Sequence, residues 1–142
     1  MTGVDDHRAI VDLTVDYCWA IDGRDWEALH NIFLPHATAE LGRGTEQGVD
    51  AIIDRISGVL NVLDGSQHLV TNHRIHLHGD RATCSTYLHA QHVRKAARDG
   101  RLYVVAGRYE DDLVRTAEGW RIAHRRLVVM WTDGNPGVIR GD

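Results

Sequence analysis

The chain is 142 residues long, enough for one domain with a substantial core and too short for two ordinary ones. Its composition, 43% hydrophobic and 25% charged, is that of a folded globular protein rather than a disordered one. A formal net charge of −4 with no clustered Lys/Arg face argues against nucleic acid or an anionic membrane as the main partner, and no apolar run approaches the roughly 20 residues of a membrane span.

The opening stretch, MTGVDDHRAI, lacks the charged-then-apolar pattern of a secretory leader. Residues 5 to 21 read as a helix, because Ile10, Leu13, Tyr17 and Ile21 recur at three- and four-residue spacing and Val11 and Val15 widen the apolar face. Cys18 in this helix and Cys84 form no CxxC pair, so two reduced, packed thiols and a cytoplasmic location are expected. Gly23 ends the helix, and Asp25 is placed to cap a short second one, WEALHNIF, which Pro35 closes. ATAELGRGTEQG then reads as a short strand and a turn. The third helix is the clearest: Val49, Ile52, Ile53, Ile56, Val59, Leu60 and Leu63 share a face, and Asp64-Gly65 stops it.

Beyond residue 66 the period changes to two. Strands at 68–78 and 82–94 flank a His78-Gly79-Asp80-Arg81 turn, and strands at 101–115 and 119–132 flank TAEG. Three N-terminal helices followed by long antiparallel strands predict an α+β domain, with helices packed on one face of a curved sheet and a ligand pocket between them.

Few residues stand out as carriers of chemistry. Asp22 ends the first helix and Tyr17 lies five positions earlier, so a strict helix at about 3.6 residues per turn does not stack them. Strict alternation puts His68, Val70, Asn72 and Arg74 on one strand face and Leu69, Thr71, His73, Ile75 and Leu77 on the other. His68 is either a polar residue at a strand start or a general base. The second role requires a carboxylate to hold its other ring nitrogen. Arg125, in GWRIAHRRLVVMW, sits on an otherwise apolar strand face and needs an anion there, either a substrate oxygen or a structural carboxylate. The ten histidines include no HExxH and no zinc-finger spacing, so no metal is expected. GxSxG, a phosphate loop and a dinucleotide fingerprint are missing too, so no cofactor is expected.

Tyr17-x4-Asp22, the subsequent RDWEALHNIF, SQHLVTN, and the closing YEDDLVRTAEGWRIAHRR together resemble the SnoaL-like members of the nuclear-transport-factor-2-like superfamily. The resemblance runs from about residue 5 to 132 and implies a cone-shaped α+β barrel with a deep apolar pocket. In the dehydratase and dehydrochlorinase branches of that superfamily an Asp–His dyad abstracts a proton. Asp22 and His68 match its two members, Arg125 matches an arginine on the last strand, and Tyr17 occupies a tyrosine or lysine position. A second histidine on the next strand corresponds to His92. The resemblance further implies substrate contacts from Asn72, Trp19, Val70, Leu88, Val104 and Met130.

The expected function is a cofactor-independent lyase of the dehydratase type acting on a small hydrophobic cyclic molecule. Two alternatives stay open at this level. One is an isomerase or cyclase with Asp22 as sole base and Tyr17 as oxyanion donor; the other is a non-catalytic ligand-binding or dimerising module. The exposed sheet face expected to carry Tyr87, His89 and Tyr103 suits a homodimer or homotrimer.

Overall fold

The computed structural model describes residues 3–141. Helix α1 (Gly3–Asp22) buries Ile10, Leu13, Thr14, Tyr17, Cys18 and Ile21 along the stripe that the spacing predicts. The next element is a 3-10 turn, Glu27–Asn31, rather than a full helix, with the Asp25 carboxylate accepting from the Ala28 N–H at 3.3 Å. Strand β1 (Phe33–Glu40) begins where the sequence pattern suggests that a helix continues. Pro35 lies within this strand, in the gap of its ladder between Phe33 and Thr38, where a missing N–H costs no bond. Strand β2 (Glu46–Gln47) is short, and helix α2 (Val49–Leu60) buries Val49, Ile52, Ile56 and Leu60.

Four long strands complete the sheet: β3 (Gly65–His78), β4 (Arg81–Val93), β5 (Leu102–Thr116) and β6 (Gly119–Gly134). The order is β2-β1-β6-β5-β4-β3, with β1 parallel to β6 and every other pair antiparallel. The result is an open, six-stranded mixed sheet, as the α+β expectation required, with α1 and α2 on its inner face. A third helix, α3 (Gly137–Arg140), has no counterpart in the sequence reading. It buries Val138, and Ile139 also packs onto the core. No helix among the described residues is long and apolar enough to cross a membrane.

Three bulges decide which side chains point inward. Thr86 alone faces Asn72 and His73 across β3–β4, and Asn72 takes the left-handed conformation with φ 57°. On β6, Ala123 and Met130 are each extra residues relative to β5. Every bulge shifts the two-residue alternation by one. The inner face of β3 is therefore His68 and Val70, then His73, Ile75 and Leu77; that of β6 is Trp120 and Ile122, then Arg125 and Leu127. Gly107 sits beside the last bulge, where an added Cβ would stand 2.1 Å from the Val128 carbonyl oxygen. Only glycine permits that approach of β6.

Candidate active site

The site begins with how α1 ends. The Asp25 N–H reaches back to the Ala20 carbonyl and the Arg24 N–H to that of Ile21, a capping arrangement that needs a left-handed residue between them. That residue is Arg24, at φ 59°, and not the neighbouring Gly23. The Arg24 side chain folds back: its Nη1 donates to the Ile21 carbonyl at 2.7 Å and to Ser66 Oγ at 2.9 Å. The turn thus ties the end of α1 to the start of β3.

Asp22 faces β3 across this junction. Its Oδ1 accepts from His68 Nδ1 at 2.7 Å and from Ser66 Oγ at 2.8 Å, and its Oδ2 accepts from the His68 backbone N–H at 2.7 Å. Partial burial pushes the carboxyl pKa up, but the bonds from the His68 side chain and backbone, together with Ser66, outweigh it and leave Asp22 below its ordinary value. Because an ionised carboxylate only accepts, the His68 proton on Nδ1 is fixed and Nε2 of the neutral ring is left bare.

His68 lines a cavity of about 160 Å³ between the helices and the sheet. Ile56, Val59 and Leu60 come from α2, and Leu88, Ala90 and Val105 from the sheet. An apolar cavity of about 150 Å³ is enough to take benzene, so this one suits a single small ring. His92 also lines it, edge-to-face with His68 at 5.7 Å between ring centroids. The His92 Nδ1–H donates to the Tyr103 carbonyl at 3.1 Å, which leaves a second bare Nε2. Burial, then the neighbouring His68, pull the His92 pKa down from 6.5 to about 4, so this ring is neutral at pH 7.

Tyr17 and Tyr109 close the floor, ring against ring at 5.9 Å. The Arg125 guanidinium lies 4.3 Å from the centroid of Tyr17 and 3.9 Å from that of Tyr109. Arg125 is fully buried and binds Asp111 through two bonds of 2.8 Å, from Nε and Nη2. It does not line the cavity; of its two sequence-level readings, the carboxylate partner is the one that the fold supplies. Burial raises the Tyr17 pKa, with the Arg125 charge opposing it.

Tyr17, His68, His92 and Leu88 meet at this cavity, with Asp22 directly behind His68. Val70 faces the core side without lining the cavity. Four expected contacts fall elsewhere. Trp19 is 78% exposed, on the solvent side of α1. Asn72 and Met130 are bulge residues carried onto the outer face, where both line a second pocket with Tyr87. Val104 is one residue out of register, and its neighbour Val105 takes the place. Tyr103 likewise turns inward, toward His92, instead of joining Tyr87 and His89 outside. The sequence reading missed Ser66, Arg24, Tyr109 and Arg55. Ser66 had a signal, since it stands two residues before His68 and hence on the same face. No group of three metal-ligating side chains occurs among the described residues.

A family model for the SnoaL-like domain matches residues 3–126. The protein Rv2910c of Mycobacterium tuberculosis is 32% identical over 125 residues, which cover 86% of this chain and 84% of that one. Among solved structures, the Kfla4162 protein from Kribbella flavida superposes with a TM-score of 0.91 at 22% identity, covering 98% and 99% of the two chains. Hexachlorocyclohexane dehydrochlorinase LinA-type3 from Novosphingobium barchaimii superposes with a TM-score of 0.79 at 19% identity, covering 95% and 93%. At these identities the two structures share the fold.

Proposed function

The chain belongs to the SnoaL-like domain family, and we propose that it is a cofactor-independent lyase of the dehydratase type, taking a small hydrophobic cyclic substrate and using His68 as its base. The observation that carries this reading is the 2.7 Å bond from His68 Nδ1 to Asp22 on a ring that lines an apolar cavity. Nε2 would remove a proton from the ring carbon next to a carbonyl or leaving group, and Asp22 would stabilise the imidazolium that forms. Tyr17, polarised by the Arg125 cation against its ring, would donate to the oxygen on which negative charge develops, with Arg125 acting through it as a positioning residue. That one fold neighbour is a dehydrochlorinase supports elimination as the reaction class.

The alternative with Asp22 as sole base is less well supported. Three donors occupy its oxygens, its proton affinity is lowered, and it stands behind His68 rather than on the cavity wall. A filled or closed interior would have favoured a purely structural module; the cavity here is open, and His68, His92, Tyr17, Tyr109 and Arg55 line it among apolar side chains.

Proton abstraction can be tested before the leaving group is known. Incubation with cyclic ketones and hydroxy-ketones in D2O, followed by NMR, reads deuterium uptake beside the carbonyl. Uptake should be lost in His68→Ala and fall by about 10²–10⁴ in Asp22→Asn. Undiminished exchange in His68→Ala would refute the assignment.

A further inference from the structure

We infer that the cavity is built for a ring that carries a carboxylate, and that Arg55 is the residue that recognises it. This deepens the reading of the cavity as a substrate site and rests on it. Arg55 projects from α2 and lines the same cavity as His68. Its Nη2 donates to the Leu41 carbonyl at 3.0 Å, and the guanidinium lies against Gly42, where an added Cβ would stand 3.4 Å from Nη2. That bond holds the head at the turn after β1 and uses one of its five N–H donors.

No carboxylate among the described residues pairs with Arg55, so its charge is not already neutralised within the fold as that of Arg125 is by Asp111. Arg55 is also the only Lys or Arg among the described residues that line the cavity. Most of the surrounding wall is aliphatic, with Ile56, Val59, Leu41 and Ile139 nearby. Bracing Leu41 uses one N–H, and the others are not sealed in the interior, so they are free to meet a ligand entering the cavity. A planar guanidinium beside apolar walls matches a planar carboxylate through two parallel bonds. A single guanidinium balances one negative charge, which fits a carboxylate better than a doubly charged phosphate. With the acid held by Arg55, the ring fills the apolar part of the cavity beside His68.

The experiment measures binding of three unreactive probes, benzoate, benzamide and benzyl alcohol, by calorimetry and by amide NMR shifts. The proteins are wild type, Arg55→Gln and Arg55→Lys. Wild type should bind benzoate at least about tenfold more tightly than benzamide, a preference that weakens as salt is added. Arg55→Gln, which keeps a donor for Leu41, should weaken benzoate by about tenfold or more while benzamide changes by less than about twofold. Arg55→Lys, with the charge but not the fork, should fall between. Equal affinity for acid and amide, an unchanged benzoate affinity in Arg55→Gln, or no binding of benzoate would each overturn the inference. The probes undergo no proton transfer, so these outcomes are independent of whether His68 passes the exchange test.

Discussion

The pair of bare imidazole nitrogens depends on His92 staying neutral, which makes its titration the most direct probe of the site. A histidine that titrates at 6.5 when free and at about 4 in the fold has lost affinity for a proton worth about 3 kcal/mol, at 1.36 kcal/mol per pH unit. The sign follows from burial. The folded state resists protonation and the unfolded state does not, so the contribution of His92 to stability is fully present above pH 6.5. It is lost as the pH falls from there through about 4. Urea denaturation at pH 7 and pH 4 should show wild type losing about 3 kcal/mol more than His92→Gln. His73, also lowered by burial, and Asp22, lowered by its hydrogen bonds, act in the same direction but are common to both proteins and drop out of the comparison. Ring-carbon NMR shifts of His92 should show no midpoint above pH 5. A midpoint near 6.5, or the same pH dependence in the variant, would refute the claim that burial, against the opposing pull of the Tyr103 carbonyl, holds this ring neutral.

Asp111→Asn leaves the Arg125 charge buried without its anion and should cost about 3–5 kcal/mol in urea denaturation, with part of the loss recovered in the double variant Asp111→Leu/Arg125→Met. A loss below about 1 kcal/mol would mean that the two tyrosine faces alone sustain the cation. Ser66→Ala removes one of the three donors on Asp22 and should raise the Asp22 midpoint in carboxyl-carbon NMR, back toward the ordinary range; an unchanged midpoint would mean that the two His68 bonds alone set it. Arg24→Gly relieves a left-handed non-glycine residue and should stabilise the fold by up to about 1 kcal/mol while slowing deuterium exchange, since Ser66 loses its anchor.

The helical part of the fold was legible because its signals are local. The stripe on α1 and the face of α2 are set by spacing alone, and the helices bury Ile10, Leu13, Tyr17 and Ile21 and Val49, Ile52, Ile56 and Leu60 as that spacing selects, although Val15, expected to widen the α1 face, is exposed. The strands were legible as strands but not as faces. Alternation is reliable only while the ladder is regular, and each bulge displaces every later side chain. Asn72 and Met130, which the family resemblance points to as substrate contacts, are themselves extra residues, and for that reason they lie outside the pocket. At Arg125 a similar slip concealed its partner. The bulge at Ala123 brings Arg125 opposite Asp111, so the carboxylate that neutralises it comes from register and not from any local pattern. Asp22 and His68 could be paired only through the family resemblance. Forty-six residues separate them, and the turn that joins them puts Arg24, not the preceding Gly23, in the left-handed conformation.

The distribution of satisfied charge points to the same place as the geometry. Asp6 is held by two bonds from Arg115 and one from Trp120, Asp111 by two from Arg125, and Asp22 by three from Ser66 and His68. Arg125 Nη1 has no hydrogen-bond partner, but its guanidinium is faced by two aromatic rings. Buried polar groups left unmatched are costly, and these residues follow that rule with few exceptions. Thr86 Oγ1, on the other buried unpartnered side chain among the described residues, lies away from the cavity, while at the cavity His68, His92 and Arg55 bring polar groups to an otherwise apolar wall. Two acceptors and a cation around an apolar space the size of a single ring are what a ligand would have to complete, and they set its chemistry as well as its size.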